Sequence, residues 1–160
     1  MKRFSILFVT LVLFFSCSEG FKTVKSSDGK VSLDVPASAE ESQLPAALDG
    51  LLLAYADPQE GLQIIVNEAP RHDSVSLESI VETFKSPQSL GASMLGEITS
   101  SDLDVNGLPA KVLSSEGERG GVKMFKRFAC IEAKSVFYMI TLTSSKEVDS
   151  DKIIKSFKQL

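Results

Sequence analysis

The sequence predicts an α+β domain in which a largely antiparallel sheet is layered with helices. Three observations lead to this prediction. Stretches of alternating apolar and polar residues predict strands on both sides of one clear helix. Short turn signals join most of these strands, which favours antiparallel pairing. The last residues have helical periodicity, so the domain is expected to close with a second helix.

The first half of the chain predicts two pairs of strands. Alternation and apolar runs mark them, and their residues are 21–24, 30–35, 51–56 and 62–67. Residues 57–61 (DPQEG) form a turn signal between the second pair, so we expect a hairpin there. Residues 37–47 are small and polar, and we expect a loop or one irregular helical turn.

A clear helix is predicted after these strands. Apolar residues at the spacing i, i+3, i+4 and i+7 share one side of it, and they are Leu77, Ile80, Val81 and Phe84. Ser76 is the expected N-cap, and Pro87 ends the helix. A weaker helical turn is expected near residues 89–95.

The second half predicts four longer strands, residues 97–105, 108–115, 122–133 and 135–144. Asn106-Gly107 between the first two is the strongest short hairpin signal. In the last strand both alternating sets of side chains are apolar. A strand of this kind is covered on both faces, so we expect it in the middle of a sheet between two layers.

A terminal helix is predicted from four apolar residues that share a face, Ile153, Ile154, Phe157 and Leu160. Asp149 is its expected cap. Three lysines line the outer side, and they are Lys152, Lys155 and Lys158. We interpret this row as a solvated face that also suits the negative carboxyl end of the helix dipole, in preference to a membrane contact.

The amino terminus has the form of an export signal. Residues 1–16 begin with two cations and continue with an apolar stretch of 12 residues, too short to span a bilayer. Ser16 precedes Cys17, and a small residue before a cysteine at this place resembles a bacterial lipoprotein signal. Phe14 and Phe15 depart from the usual pattern of that signal. The alternative is ordinary cleavage after Ser18, which would give a secreted protein.

The lipoprotein resemblance implies a domain organisation and a location. Residues 1–16 would be removed, Cys17 would receive diacylglycerol and acyl chains such as palmitate, and residues 17–20 would be a short tether. Two or three chains hold a protein on a bilayer, whereas one chain holds it only marginally. Residues 21–160 would form a single domain close to the membrane. Ser18 implies sorting to the outer membrane of the bacterial cell envelope.

Several segments resemble the PsbP-like family, which includes bacterial lipoproteins of the DcrB type. Residues 28–36 (DGKVSLDVP) resemble its opening hairpin, and residues 106–110 (NGLPA) resemble its middle hairpin. Residues 137–141 (FYMIT) and 154–157 (IKSF) resemble its closing strand and helix. The resemblance implies an α/β/α sandwich that acts as a binding or assembly module. No binding residues of the family are matched here.

Charge and composition exclude some functions. The chain has a net charge of −4, and without residues 1–16 the remaining 15 basic and 21 acidic residues give −6. An acidic domain is not expected to bind nucleic acid, because phosphates require a positive surface. One histidine and one cysteine besides Cys17 cannot supply a zinc site, and no metal or cofactor is expected.

The remaining motifs favour structure over chemistry. Residues 102–107 (DLDVNG) match half of a calcium loop, but Leu113 stands where the bidentate glutamate belongs, so a strand and turn are expected. His72 is expected in an exposed loop without catalytic partners. Cys130 is expected to be a buried free thiol. Residues 117–121 (GERGG) are expected to be a hairpin loop, since they lack the lysine of a phosphate loop.

These observations lead to a non-enzymatic binding or assembly lipoprotein, anchored through Cys17 and contacting an envelope protein of unknown identity. Candidate contact surfaces are residues 37–47, 57–61 and 117–121, because loops often form binding sites. Two alternatives remain. The protein could hold a small apolar molecule or a cation between sheet and helix, or it could be a small hydrolase that uses His72.

Overall fold

The computed structural model describes residues 20–43, 49–85 and 96–160. The predicted signal segment, Cys17 and the expected helical turn near residues 89–95 lie outside these ranges. The described elements are β1 (Phe21–Lys25), β2 (Val31–Pro36), β3 (Glu40–Glu41), β4 (Leu51–Asp57), β5 (Leu62–Pro70), α1 (Leu77–Lys85), β6 (Ile98–Val105), β7 (Leu108–Arg119), β8 (Val122–Glu132), β9 (Val136–Ser144), α2 (Ser150–Lys155) and β10 (Lys158–Gln159). Neither described helix is long and apolar enough to cross a bilayer.

The main sheet has seven strands in the order β3-β4-β5-β9-β8-β7-β6, and neighbouring strands pair antiparallel. The expected hairpins are present in it. Asn106 and Gly107 join β6 to β7 with φ angles of 54° and 84°. A two-residue turn that matches the right-handed twist of its strands requires positive φ at both residues, which explains why Asn-Gly predicts it so well.

Strand β9 lies fourth in the sheet and is buried on both faces, as its two apolar sets predicted. Tyr138, Ile140 and Leu142 belong to one apolar cluster. Phe137 belongs to a second cluster on the opposite face, and Met139 packs against it. The sheet therefore separates two cores, and each core needs a covering layer.

A three-stranded sheet and α2 cover the larger core. The small sheet has the order β1-β2-β10, and β2 inserts Val31, Leu33 and Val35, all fully buried. Helix α2 adds Ile153 and Ile154. Asp149 caps this helix as predicted, since its carboxylate accepts a hydrogen bond from the Lys152 backbone N–H at 3.0 Å.

Helix α1 covers the smaller core. Leu77 and Val81 are buried against the sheet, and the Phe84 ring stacks on Phe128 with centroids 4.0 Å apart. The predicted N-cap is confirmed, because the Ser79 backbone N–H donates to Ser76 Oγ at 3.2 Å. One helix on each side of an antiparallel sheet is the expected α/β/α arrangement. The side of α2 also contains the small sheet.

The predicted terminal helix is wrong in its last part. It ends at Lys155, where Ser156 Oγ donates to the Ile153 carbonyl at 2.6 Å and accepts from the Asp34 backbone N–H at 2.8 Å. The chain then continues as β10, which pairs with β2. Hydrogen-bonding groups on the edge of β2 are available to these residues, so pairing replaces another helical turn. Leu160 is consequently 59% exposed.

Two predicted loops are also partly strand. Strand β7 continues to Arg119, so that only Gly120 and Gly121 form the turn expected over residues 117–121. Within residues 37–47, the pair Glu40–Glu41 forms β3 against β4, and Ala39 is fully buried. Residues 44–47 of that segment lie outside the described residues.

Candidate functional site

One end of the main sheet joins two of the three predicted contact loops. Asp57, at the end of β4, is 1% exposed. Its carboxylate accepts hydrogen bonds from Ser38 Oγ at 2.5 Å, from the Gln59 backbone N–H at 2.9 Å and from that of Glu60 at 3.3 Å. The Ser38 hydroxyl contributes most to lowering the pKa of Asp57 below its ordinary value. These bonds fix the turn 57–61 to the segment before β3.

The segment after β9 holds the same turn from its other side. Lys146 Nζ donates to the Gln59 carbonyl at 2.8 Å and forms an ion pair with Glu60 at 3.3 Å. Gly61 has a φ of +57°, and a Cβ atom there would lie 2.1 Å from Ser145 Oγ. The turn is therefore a fixed surface, and it can present groups to a partner without first becoming ordered.

Strands β7 and β8 extend beyond the main sheet as a two-stranded ribbon, which comprises residues 116–124. Strand β6 begins its pairing with β7 at Ser115, and β9 ends its pairing with β8 at Phe125. Beyond these points each ribbon strand pairs with the other strand alone, among the residues that the structure describes. Val122 is 48% exposed near the tip, and Lys123 Nζ lies 4.6 Å from the Phe125 ring centroid.

A small cavity of about 80 Å³ lies at the base of the ribbon. Its lining comprises Ser114, Ser115, Glu116, Phe125, Lys126, Arg127, Leu142, Ser144, Glu147, Val148 and Ser150. Arg127 Nη1 donates to Ser114 Oγ at 2.7 Å and lies 3.7 Å from Asp151 Oδ1. Sites for drug-sized molecules enclose at least about 300 Å³, so this cavity suits a single side chain of a partner better than a free ligand.

Two basic residues at this cavity and on the ribbon, Lys123 and Arg127, face acidic side chains. Lys123 pairs with Glu116 at 3.0 Å, while Arg127 faces Asp151. Burial lowers the pKa of Lys126, and the positive charge of Arg119 adds to the effect. The end of the sheet therefore presents mixed charge beside apolar surface, as protein interfaces commonly do.

The two candidate reactive residues, His72 and Cys130, lie in different environments: one is exposed in a loop and the other is buried in a core. His72 is exposed in the loop before α1, as predicted. Cys130 is a fully buried free thiol in the smaller core. Burial raises the pKa of Cys130 to about 12, and the charge of Glu132 adds to the shift. A thiol in this state is a poor nucleophile, because the thiolate is the reactive form.

Residues 102–107 form a strand and turn, as predicted, and the turn contacts α2. Asp104 accepts from the Gly107 backbone N–H at 2.9 Å. Asn106 Nδ2 donates to the carbonyl of Phe157 at 2.6 Å and to that of Lys155 at 3.1 Å. Across residues 20–43, 49–85 and 96–160, no three His, Cys, Asp or Glu side chains come together in a way that could hold a metal ion.

The space between sheet and α2 is filled by apolar side chains. Ile153, Ile154 and Phe157 are at most 1% exposed there, and the Phe157 ring lies 5.0 Å from that of Tyr138. A second cavity, of about 380 Å³, is an open surface cleft beside Asn106 and Leu160. This packing gives no support to a ligand held between sheet and helix.

Sequence reasoning missed the ribbon and the cavity at its base. Residues 116–119 (EGER) contain three charged residues and a glycine, so no alternation of apolar and polar residues marked this part of the strand. The sequence did not indicate where the neighbouring strands β6 and β9 would stop pairing. It therefore gave no sign that the ribbon would extend beyond them. The predicted lipidation site, Cys17, lies before the first described residue.

No family model matches the sequence, and no curated protein matches it. The fold nevertheless resembles solved structures at 12% identity. Cyanobacterial PsbP from Synechocystis has a TM-score of 0.63, with 89% of this chain and 94% of that chain covered. The Ran-binding protein Mog1p of Saccharomyces cerevisiae has a TM-score of 0.60, with 89% and 96% covered.

Two further structures share the fold at 12% identity. LpqN, involved in cell envelope biogenesis of Mycobacterium tuberculosis, has a TM-score of 0.53, with 87% of this chain and 90% of that chain covered. A protein of Bacteroides thetaiotaomicron has a TM-score of 0.60 over 89% of this chain, and this chain spans about half (49%) of its length. At this identity the likeness concerns the fold, and the chain has the PsbP-like fold.

Proposed function

We propose that this protein is a non-enzymatic binding or assembly lipoprotein of the bacterial cell envelope, anchored through a lipid on Cys17. The sequence before the domain supports the anchor, since a basic start and an apolar stretch lead to Ser16 and Cys17. Ser18 favours the outer membrane. Solved proteins of the same fold include a Ran-binding protein and an envelope biogenesis protein, which supports a binding role in the envelope.

The observation that supports binding most directly is the ribbon of residues 116–124. A two-stranded ribbon is marginally stable by itself, and this one exposes Val122 near its tip. It lies at the same end of the sheet as the fixed turn 57–61. A partner could cover the exposed Val122 of the ribbon and place one side chain in the cavity beside Arg127. Such contacts would stabilise the ribbon.

Site-specific photo-crosslinking in intact cells tests the binding surface. A photoreactive amino acid at Val122 should crosslink to one discrete envelope protein. The matched control is the same amino acid at Lys134, an exposed residue in the turn between β8 and β9 at the opposite end of these strands. No adduct at Val122, or equal adducts at both positions, would contradict a binding role for the ribbon.

Mass measurement of the mature protein tests the anchor. The expected protein begins at Cys17 and carries two or three acyl chains, and it sediments with membranes. A Cys17→Ser variant should lose the lipid and leave the membrane fraction. A mature chain without lipid that begins at Glu19 would show cleavage after Ser18 and would overturn the anchor.

A further inference from the structure

Four exposed lysines lie on the small sheet and on helix α2, which continues into it. Lys25 of β1 and Lys158 of β10 each pair with Ser32 of β2, so they flank it on one face. Helix α2 adds Lys152 and Lys155, which share a side of the helix because they are three residues apart. All four are exposed, and we call this surface the lysine face.

The lysine face is not neutralised by neighbouring acids. None of its four lysines has an acidic partner within ion-pair distance among the described residues. Of the other 11 described basic residues, seven do have such partners, and they are Lys30, Arg71, Lys85, Lys111, Lys123, Arg127 and Lys146. Asp34 is the carboxylate on this side of the small sheet, and it is half-buried and accepts from Thr23 Oγ1 at 2.6 Å.

The rest of the domain has the opposite charge. Apart from the lysine face, the described residues include 11 basic and 20 acidic side chains, which gives a net charge of −9. An anionic surface would repel this acidic body and attract the lysine face. The charge distribution therefore favours one orientation of the domain on such a surface.

The chain enters the domain beside the lysine face. The Gly20 carbonyl accepts from the Ala37 backbone N–H at 2.7 Å, which fixes the entry point at the end of the small sheet. Lys152 Nζ lies 4.0 Å from the centroid of the Phe21 ring, so α2 reaches across to the first residue of β1. Cys17 precedes Phe21 by four residues, which span at most about 14 Å.

We propose that the lysine face lies against the anionic lipid headgroups of the membrane to which Cys17 attaches the chain, an inference that rests on the proposed lipid anchor. It replaces the interpretation of Lys152, Lys155 and Lys158 as the solvated side of one helix, because Lys158 lies in β10, across β2 from Lys25. Charges in physiological salt act over about 8 Å, so only a surface held close to the bilayer experiences its potential. Each lysine near an anionic surface contributes about 1 kcal/mol, or about fivefold in binding. The lipid would supply attachment, and the lysines would supply orientation.

Amine footprinting of the mature protein in vesicles tests this orientation. The protein, purified from membranes, is reconstituted into vesicles of phosphatidylcholine with about 30% phosphatidylglycerol, and into vesicles of phosphatidylcholine alone. An amine-reactive label is then mapped by mass spectrometry. We expect severalfold protection of Lys25, Lys152, Lys155 and Lys158 on the anionic vesicles, and loss of this protection at about 1 M salt, where charges are screened within about 3 Å.

The chain contains its own control, four exposed lysines of the main-sheet body, namely Lys85, Lys123, Lys134 and Lys146. Their labelling should be the same on both kinds of vesicle. Equal labelling of the two sets on anionic vesicles would overturn the lysine face as a membrane contact. Protection that appears in intact cells but not on vesicles would also overturn it, and would point to an acidic protein instead.

The same experiment separates this inference from the proposed anchor. A lipidated protein that shows no selective protection would leave the anchor in place and refute the lysine face. A protein without lipid whose lysine face is still protected by anionic vesicles would refute the anchor and support the face. In the unlipidated Cys17→Ser protein, substituting the four lysines of the face by glutamine should weaken binding to anionic vesicles severalfold, measured by sedimentation. The same change in the four control lysines, which alters net charge equally, should leave this binding unchanged.

Discussion

Single polar residues hold the ends of the domain together through partners distant in sequence. Asp57 connects the turn 57–61 to Ser38, and Asn106 connects a hairpin tip to the end of α2. Each side chain satisfies buried or partly buried backbone groups, which are costly to leave without hydrogen bonds. We therefore expect substitutions at these positions to affect stability, although none of them belongs to the apolar core.

Asp57→Asn should lower the free energy of unfolding by about 1–3 kcal/mol at neutral pH, because charge-assisted hydrogen bonds are lost. The pKa of Asp57 is below its ordinary value of 3.8 in the folded state. Its contribution is therefore complete above that pH and disappears as the pH falls below it. Urea unfolding of both proteins, at neutral pH and at about pH 2, measures the difference.

The free energies of unfolding of the Asp57→Asn variant and of the unsubstituted protein should differ less at about pH 2 than at neutral pH. Asp73→Asn is the control, because Asp73 is an exposed turn residue. An equally large difference at both pH values would show that the charge of Asp57 does not stabilise the fold.

At the level of elements, the two helices are stabilised by different contacts. Helix α2 has six residues and is fixed at both ends, by the Asp149 cap and by Ser156. Helix α1 has nine residues and packs against the smaller core through one side. A helix of this length is unstable alone in water, so α1 depends on its cap and on that contact.

Ser76→Ala should destabilise α1 by about 1 kcal/mol, because its hydroxyl accepts from the Ser79 backbone N–H. The effect should be local, since α1 contacts the sheet through the smaller core. Amide hydrogen exchange should accelerate in α1 and change little in β5 and β9. Ser74→Ala, two residues earlier in the exposed loop, is the control; an equal effect of both substitutions would exclude the cap as the cause.

At the scale of the whole molecule, the main sheet separates two apolar cores, one on each of its faces. Cys130 lies in the smaller core and is inaccessible until the domain opens. Burial raises its pKa from 9.0 to about 12. Because the folded state disfavours the thiolate, the contribution of this thiol to stability is complete below pH 9 and declines as the pH rises toward 12.

The predicted consequence is a pH-dependent effect of Cys130→Ala, measured in a Cys17→Ser background that leaves a single thiol. Alanine should lower the free energy of unfolding at neutral pH, because it leaves a small cavity. Above about pH 9 the difference should shrink by up to about 1.4 kcal/mol per pH unit, since only the unsubstituted protein gains a thiolate on unfolding. A constant difference across this range would contradict the raised pKa.

Much of the fold follows from local patterns. Alternation predicted the strands of the main sheet, Asn106-Gly107 predicted its turn, and the spacing from Leu77 to Phe84 predicted α1. The two apolar sets of β9 even indicated a central strand with a layer on each face. These features are predictable because they depend on the geometry of a few consecutive residues, with period 2 for a strand and 3.6 for a helix.

Sequence patterns alone were enough to predict the layers of this domain, its acidic charge and the short distance in sequence between Cys17 and the first strand. The tertiary structure alone decided that residues after Ser156 pair with β2, and that the ribbon extends beyond its neighbours. It also decided that Lys25 and Lys158, which are 133 positions apart in the chain, flank the same residue of β2. Local periodicity contains no information about which distant edge is free or which surfaces meet, because long-range strand pairing is settled only when the whole chain packs.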